Sequence, residues 1–398
     1  MRRTLVLISL LAGCGAATPS LAPPQSLVTL SLPVPPQVAL FEHERVLAFE
    51  VLMHNETAAN IQVEAAQFAG AGFAWTPSQN VCDEVKAYPD VDAETLPELS
   101  ALRDLMAQDA ALTPCSIPPG RSFFVPVWAV ALPDGATPVD RAAAPALFSV
   151  RVRSKEHVQS VTLALPAAME EPALTLGPPL RDGPWVVMSG LSARSSHRWQ
   201  AIQMHGAPHW AQRFAADFGR LDENGCAIPE GATLVENTRY FGYGQDVIAV
   251  ADARVARVLD GVPENVPGEH SRAIPITVET VTGNAVWLDL GENRFAFYAH
   301  LTPGSIRVQE GDLVHRGDVL GGLGNSGNST APHLHFHVAR GLGGLDTEGV
   351  PYVFERFTAR SVVIPAAFGD TERCVLLGSD VRPVNYAMPS HETVIRFR

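Results

Sequence analysis

The chain has 398 residues, 46% of them hydrophobic, so it is long enough to bury more than one apolar core. Its formal net charge is −13, and its 29 cationic residues form no cluster. This charge pattern argues against nucleic acid as a partner, because nucleic-acid-binding surfaces concentrate lysine and arginine on one face.

The first residues are typical of an export signal. Arg2 and Arg3 precede a short apolar run, residues 4–11, which is too short to span a bilayer as a helix. Residues 11–14, Leu-Ala-Gly-Cys, resemble the processing box of bacterial lipoproteins. The resemblance implies a signal peptide over residues 1–13, a membrane anchor through a lipid on Cys14, and a tether over residues 14–25.

Gly15, rather than aspartate, follows Cys14. By resemblance to Gram-negative lipoproteins, this residue favours the outer membrane, with the protein in the periplasm. The alternative is an ordinary secretory signal that is cut nearby, which would leave a secreted protein.

Four cysteines remain after Cys14, and an even number in an exported protein predicts two disulfides. We expect Cys82 to pair with Cys115 and Cys226 to pair with Cys374, because each pair then lies within one predicted domain.

Residues 26–175 are expected to form an N-terminal β-sandwich-like domain with one helical insert. Short alternating apolar runs, bounded by turn residues, predict strands at residues 26–32, 46–53, 123–130, 148–153 and 158–165. Thr95 and Glu98 form a capping-box pattern before an apolar stripe that ends at Met106, which predicts the helix.

A Pro/Gly-rich stretch, residues 177–184, marks the domain boundary. Residues 176–365 are predicted to form a second β domain, with a hairpin that joins residues 285–290 to residues 294–301. Nine of the thirteen histidines lie between His197 and His337. Residues 366–398 are expected to be a C-terminal extension that packs on this domain.

His333, His335 and His337 alternate along a predicted strand that follows a Gly/Asn/Ser turn. Alternate residues share one face of a strand, and three imidazoles on one face suit a metal site better than an apolar core. A hydrolytic metal site needs three protein ligands and an open position for water.

Other residues could complete such a site. Asp217 lies among apolar neighbours, where an unpaired carboxylate is costly to bury, and metal ligation would remove that cost. His300 ends a predicted strand and is a candidate base. The remaining ligand is one of His197, His205 and His209.

From about residue 185 to residue 357 the sequence resembles the lysostaphin-type (LytM-like) zinc metallopeptidases, which cut peptidoglycan. The similar pieces are Ser196-His-Arg, Gln212-Arg-Phe-Ala-Ala-Asp217, Tyr298-Ala-His300, the run from Gly311 to Gly321, Gly324-Asn-Ser-Gly-Asn-Ser and His333-Leu-His335. The resemblance implies an antiparallel β-sheet peptidase domain with Zn2+ as its cofactor.

By this resemblance the zinc ligands are His197, Asp217 and His335, and the catalytic residues are His300 and His333. Many family members place the first histidine four residues before the aspartate, but here that position is Arg213. A subset carries a longer insertion, and His197 fits that pattern. His209 and then His205 are the alternatives.

The resemblance therefore implies a zinc metalloendopeptidase with peptidoglycan as its substrate. The alternative function is that of a catalytically inactive LytM-like lipoprotein that binds peptidoglycan or activates wall amidases. The N-terminal domain is expected to cover the substrate groove, bind the wall or dock a wall-enzyme partner.

Overall fold

The computed structural model of the protein describes residues 26–397 apart from several gaps. The gaps are residues 42–43, 71, 76, 78–81, 83–85, 88–92, 97, 100–114, 132–145, 169–173, 194, 233–234, 269–271, 366–367 and 369–372. The predicted signal peptide, Cys14 and the tether lie outside the described residues, and so does most of the predicted helix. Thr95, where that helix was expected to begin, ends a 3-10 helix, Ala93–Thr95.

The described residues of the N-terminal region form one antiparallel sheet of ten strands. The strands are β1 (Val28–Ser31), β2 (Gln37–Phe41), β3 (Glu44–Asn55), β4 (Ile61–Gly70), β5 (Phe73–Trp75), β6 (Lys86–Ala87), β7 (Ser116–Ile117), β8 (Ser122–Ala131), β9 (Leu147–Ser154) and β10 (His157–Ala164). Strands lie at all five predicted positions. The sheet curls around its core. The Leu27 N–H beside β1 can therefore donate to Gln159 of β10, at 2.8 Å.

Strand β3 is buried on both of its faces. Leu47, Phe49, Val51 and Met53 point into the core of the N-terminal sheet. The alternate residues 46, 48, 50 and 52 point the other way, toward the C-terminal region, as the period of a strand requires. A strand that reads as a continuous apolar run therefore separates two cores.

The C-terminal region is built on a second sheet, of twelve strands. The strands are β11 (Leu174–Leu176), β12 (Trp185–Met188), β15 (Ala216–Arg220), β17 (Ala253–Leu259), β18 (Asn284–Asp289), β19 (Arg294–Leu301), β20 (Leu313–Val314), β22 (Leu334–Arg340), β23 (Glu348–Gly349), β24 (Tyr352–Val363), β25 (Leu376–Ala387) and β26 (Thr393–Phe397). Two smaller pairs flank it, β13 (Ile202–Met204) with β14 (Ala207–His209), and β16 (Asp246–Ile248) with β21 (Val319–Gly322).

The order of the large sheet is β11-β24-β26-β12-β15-β22-β19-β18-β17-β20, and its pairs are antiparallel except for β11 with β24. The predicted hairpin is present as β18 and β19. The predicted domain boundary at residue 175 falls within β11. Strands β25 and β26, from the predicted C-terminal extension, join the sheet through β24 and β12. The prediction of a mainly β protein is confirmed.

The two sheets pack against each other. Ala39, Val46 and Ala48 of the N-terminal sheet belong to the same buried cluster as the C-terminal core. Phe124 of β8 meets Trp210 edge to face, with ring centroids 5.7 Å apart. The Met388 N–H donates to the Leu40 carbonyl at 3.2 Å. The C-terminal core is therefore covered by the N-terminal sheet along one side.

The predicted disulfides, Cys82–Cys115 and Cys226–Cys374, are both present. In the described part of the chain, the helices are too short or too polar to cross a membrane.

Candidate metal centre

His197, Asp217 and His335, the three predicted ligands, come together at one point of the C-terminal sheet. Their ligand atoms all lie within 4.8 Å of one another. His197 Nε2 is 3.3 Å from one oxygen of Asp217, and His335 Nδ1 is 2.9 Å from the other. Among the described residues, this is the group of histidine, cysteine and carboxylate side chains with the geometry of a metal site.

The register of the sheet places two of the three ligands. Asp217 of β15 lies directly opposite His335 of β22. Directly opposed residues of antiparallel strands project from the same face, with their Cβ atoms about 5 Å apart. The carboxylate and the imidazole therefore meet because the strands are paired in this register, and a one-residue slip would separate them.

The third ligand, His197, lies on a short 3-10 helix, Ser196–Trp199, rather than on a strand. Its Nδ1–H donates to the carbonyl of Ser189 at 2.9 Å. A carbonyl can only accept, so the proton is held on Nδ1 and the lone pair of Nε2 faces Asp217.

His335 uses its two ring nitrogens differently. Nδ1 faces Asp217, and Nε2 lies 2.9 Å from Nδ1 of His337. When Nδ1 acts as a ligand, the proton is on Nε2 and is donated to His337. A metal-bound histidine nearly always has such a partner on its other nitrogen, which fixes its orientation. His337 has no metal-facing contact itself, and its Nε2 is buried without a hydrogen-bond partner.

The predicted catalytic histidines lie beside this group. His333 Nε2 is 3.6 Å from Asp217 Oδ1, and the ring centroids of His333 and His300 are 4.9 Å apart. His333 Nδ1–H donates to the Ala331 carbonyl at 2.8 Å, and His300 Nδ1–H donates to the Ser326 carbonyl at 2.8 Å. Both rings are therefore held with Nε2 as the basic nitrogen.

The backbone at His300 departs from regular β structure. Ala299 lies opposite His335, so simple alternation would turn the next side chain to the other face of the sheet. His300 has φ of 64°, and the neighbouring pairing of β18 with β19 shifts register between Asn284 and Val286. A bulge of this kind re-aims a side chain, and here it turns His300 toward His333 and His335.

Burial sets the electrostatics of the site. Burial lowers the pKa of His197 to about 4, against a smaller opposing effect of Asp217. Burial also holds the pKa of His300 and of His337 well below the usual range. Burial alone would raise the pKa of Asp217, but the adjacent His197 and His333 together with the hydrogen bond to His335 lower it. At neutral pH the site therefore holds the Asp217 carboxylate together with the neutral imidazoles of His197, His300 and His337.

This arrangement fits a bound cation. The lone pair of His197 Nε2 faces a carboxylate oxygen at 3.3 Å, so either a proton or a metal ion must lie between them. The low pKa of His197 disfavours the proton at neutral pH. Two imidazole nitrogens and one carboxylate oxygen are the donors of catalytic metal sites that keep one position open.

The alternative first ligands lie elsewhere. His205 approaches Asp346 at 3.4 Å, and its side chain is 57% exposed. His209 Nδ1 is 3.5 Å from Glu348, and its hydrogen bond to Glu348 raises its pKa. Of the three candidates, the structure therefore brings His197 to Asp217.

Ser326, in the turn before the histidine strand, has a structural place. Its hydroxyl donates to the Leu301 carbonyl at 2.8 Å and accepts from the Asn284 N–H at 2.9 Å. It is fully buried. A hydroxyl that is engaged on both sides is not available as a nucleophile.

Sequence reasoning missed two features of the site. The carbonyl of Ser189 orients His197, and a backbone acceptor leaves no signal in sequence. Glu50, on β3, forms buried ion pairs with Arg198 and Arg213, which flank the first two ligands in sequence. A signal existed here, because Glu50 stands inside the apolar run of residues 46–53, where an unpaired carboxylate is costly.

Comparison with known families agrees with this geometry. Residues 240–347 match the sequence profile of Peptidase family M23. The chain contains a peptidase family M23 domain. The matched residues of this M23 domain include His300, His333 and His335, whereas His197 and Asp217 precede them in the chain. The structure supplies what the profile does not cover, namely the position of these two residues beside His335.

Solved structures with similarity to the chain include other M23 proteins. A mutant catalytic domain of the prophage-encoded M23 protein EnpA from Enterococcus faecalis is 21% identical, over 44% of this chain and 92% of that chain, with a TM-score of 0.25. The catalytic domain of the antimicrobial peptidase lysostaphin from Staphylococcus simulans is 20% identical, over 40% and 75%, with a TM-score of 0.19.

A zinc-containing peptidase from Vibrio cholerae is 12% identical, over 77% of this chain and 84% of that chain, with a TM-score of 0.22. TM-scores this low add nothing to the assignment, which rests on the sequence profile. No curated protein shows significant similarity to the chain.

Proposed function

We propose that the protein is a zinc-dependent peptidase that hydrolyses peptide bonds of bacterial peptidoglycan. The observation that carries the proposal is the group of His197, Asp217 and His335, whose ligand atoms lie within 4.8 Å of one another. The M23 domain supports peptidase chemistry, and the resemblance to lysostaphin-type enzymes supplies peptidoglycan as the substrate class.

Zinc fits the donor set. Zinc accepts imidazole nitrogen and carboxylate oxygen, and its catalytic sites combine three protein ligands with one open position. A bound zinc ion supplies Lewis acidity there, which lowers the pKa of an attacking water and polarises the scissile carbonyl. The second nitrogens of His197 and His335 are engaged by Ser189 and His337, so both ligands are held in orientation.

His333 and His300 carry protons in the proposed mechanism. Each donates its Nδ1 proton to a backbone carbonyl, so Nε2 is the nitrogen through which each ring exchanges a proton. One ring accepts the proton of the attacking water as a general base. The other ring, protonated from solvent, stabilises the negative charge that develops on the carbonyl oxygen, and the base then passes its proton to the leaving amine. Their centroid separation of 4.9 Å allows both to contact one scissile bond.

The test combines metal analysis with product analysis. We expect the purified full chain to bind one zinc ion and to release soluble muropeptides from purified sacculi. His335→Ala should lose both properties. His315→Ala is the matched control, because that imidazole is 84% exposed and contacts Asp252 rather than the site. Full zinc stoichiometry in His335→Ala would contradict the proposal.

A non-hydrolytic role is the second candidate. The observation in its favour is the low exposure of the site, with side chains 8% exposed for His197, 5% for His335 and 14% for Asp217. A substrate needs more access than this. Zinc binding with retention on sacculi but without soluble muropeptides would favour a binding protein or an activator of wall amidases.

We further propose that the protein is a periplasmic lipoprotein anchored in the outer membrane through Cys14. The Leu-Ala-Gly-Cys box supports the anchor, and the two disulfides support an oxidising compartment. Cys14→Ser should abolish incorporation of radiolabelled palmitate and move the protein from the membrane to the soluble fraction. Labelling that persists in this variant would rule out Cys14 as the anchor.

A further inference from the structure

The segment between the first two ligands, residues 198–216, packs on the N-terminal sheet. Arg198 follows His197 directly and is 1% exposed. Its Nη2 donates to the carbonyl of Phe49 on β3 at 3.0 Å and to that of Val127 on β8 at 2.8 Å. Its Nη1 contacts the carboxylate of Glu50. The residue after the first ligand is therefore inserted into the other sheet.

The same carboxylate holds the far end of the segment. Arg213 lies four residues before Asp217, and its Nε donates to both oxygens of Glu50 at 3.1 Å. Its Nη2 donates to Oε2 of Glu50 at 2.5 Å. The side chains of Glu50 and Arg213 are fully buried. One carboxylate thus joins two guanidinium groups that lie at opposite ends of the ligand segment.

His197 depends on such contacts for its position. Its 3-10 helix has four residues and no side-chain cap. An element this short has little stability of its own. Its described supports are local, such as Trp199 Nε1–H to the Ala193 carbonyl at 3.0 Å, or reach across to the N-terminal sheet. Of the contacts with the N-terminal sheet, the ion pair with Glu50 holds Arg198, the residue next to His197.

Removal of the Glu50 charge would leave Arg198 and Arg213 buried beside each other. Two like charges in a buried site repel, and each loses a charge-assisted hydrogen bond. The segment would then relieve the repulsion by moving away from the N-terminal sheet, and His197 would move with Arg198.

We propose that Glu50 of the N-terminal sheet is a positioning residue for the metal site, because it holds the segment that presents His197 to Asp217. This inference rests on the proposed metal function. The N-terminal sheet then helps to build the metal site, in addition to any role in covering the substrate groove or binding a partner.

The test is zinc affinity of the metal-stripped full chain, measured by competition with a chelator. Glu50→Gln keeps the shape of the side chain and removes its charge. We expect zinc binding about tenfold weaker, as for loss of a residue that orients a ligand. We also expect an altered cobalt(II) absorption spectrum, which reports ligand geometry and would not change if Glu50 served stability alone.

Glu348→Gln is the matched control. Glu348 also contacts Arg213, at 3.5 Å from Nη2, but its carboxylate is 22% exposed and its described contacts do not include Arg198. We expect zinc affinity within about twofold of wild type and an unchanged cobalt spectrum, because a partly exposed ion pair contributes little.

Glu50→Asp covers the case in which Glu50→Gln does not fold. It keeps the charge but shortens the reach, so weakened zinc binding in a folded Glu50→Asp protein supports the inference. Wild-type zinc affinity in whichever of the two variants folds would overturn it while leaving the proposed function intact. Failure of the wild-type chain to bind zinc would overturn both.

Discussion

The two sheets treat buried polar groups differently. Among the described residues, the N-terminal sheet buries one ionisable side chain, Glu50. The C-terminal region buries six histidine and arginine side chains, namely His197, Arg198, Arg213, His300, His335 and His337. Burial of an ionisable group lowers stability unless the group is paired or neutral. The N-terminal sheet therefore resembles a packed scaffold, whereas the C-terminal region carries the candidate metal site.

One buried side chain of the N-terminal sheet departs from this difference. Glu50 faces out of the N-terminal core, and its partners, Arg198 and Arg213, belong to the C-terminal region. Among the described residues, the one buried charge of the scaffold thus pairs with the segment that follows the proposed first ligand, His197. The N-terminal sheet therefore forms a separate apolar core, but through Glu50 it also contacts the segment beside the candidate metal site.

The largest expected effect comes from Asp217→Asn in the C-terminal sheet. The amide keeps the size of the side chain but loses the negative charge that both His197 and His335 face. We expect zinc affinity to fall by more than about a thousandfold, beyond the 10–100-fold typical of residues that only orient ligands. Isothermal titration with zinc measures this, and an affinity near that of wild type would remove Asp217 from the ligand set.

The matching change in the N-terminal sheet is Phe148→Ala. Phe148 is fully buried on β9 and stacks on Trp75, with ring centroids 6.4 Å apart. We expect the free energy of unfolding of this sheet to fall by about 3–5 kcal/mol. Amide hydrogen exchange in β4 and β9 measures it. Zinc affinity of the folded protein should stay at the wild-type value, and a parallel loss would contradict a purely structural part for this core.

Much of the site was predictable from sequence because it follows from strand geometry. Alternation placed His335 and His337 on one face, and the isolated Asp217 among apolar residues indicated a buried carboxylate that needed a partner. The disulfides followed from the domain division. These predictions depend on residue type and on the two-residue period of a strand, and both can be read directly from the sequence.

Other parts depend on contacts between distant segments. The orientation of His300 comes from a bulge and a positive φ, whereas alternation alone would have turned it to the other face. The choice of His197 over His209 depends on how residues 198–216 fold back, and Glu50, about 150 residues earlier in the chain, pairs with both ends of that segment. No local pattern reports a partner at that separation.

Acid should lower the stability of the C-terminal region more than that of the N-terminal sheet, and this difference should be smaller than the effects of the two substitutions above. Burial lowers the pKa of His197 to about 4 and that of His300 and His337 well below 6.5, so these groups are neutral when folded. The unfolded chain then binds more protons below pH 6.5, and the free energy of unfolding falls as pH drops from 7 toward 4. For His197 the loss is on the order of 3 kcal/mol.

Hydrogen exchange of the metal-free protein at pH 7 and pH 5 measures this difference by region. We expect protection to fall in β15, β19 and β22 more than in β4 and β9, whose cores hold no buried histidine among the described residues. In His197→Gln the pH dependence of β15 should be smaller. Equal loss of protection in both sheets would contradict the expectation that acid destabilises the C-terminal region more than the N-terminal sheet.

The smallest expected effect concerns His337, where zinc affinity should fall while the stability of the metal-free protein stays close to that of wild type. With zinc bound to His335 Nδ1, His337 Nδ1 would accept from His335 Nε2 at 2.9 Å, while its own Nε2 is buried without a partner. His337→Leu removes the acceptor, so zinc affinity should fall about tenfold. His337→Gln keeps an acceptor oxygen and should lose less.

In the metal-free protein the same leucine removes one unpaired buried nitrogen, Nε2 of His337, but leaves Nε2 of His335 without its partner, and each such group costs about 1–3 kcal/mol. These two costs offset each other, so the metal-free protein should unfold at a urea concentration close to that of wild type. A residue that only fills space would give a different result, lower stability with unchanged zinc affinity, because leucine does not reproduce the packing of the imidazole on Phe297, whose ring centroids are 4.6 Å apart. Zinc competition and urea titration of the two variants therefore decide whether this buried histidine belongs to the chemistry of the sheet or to its packing.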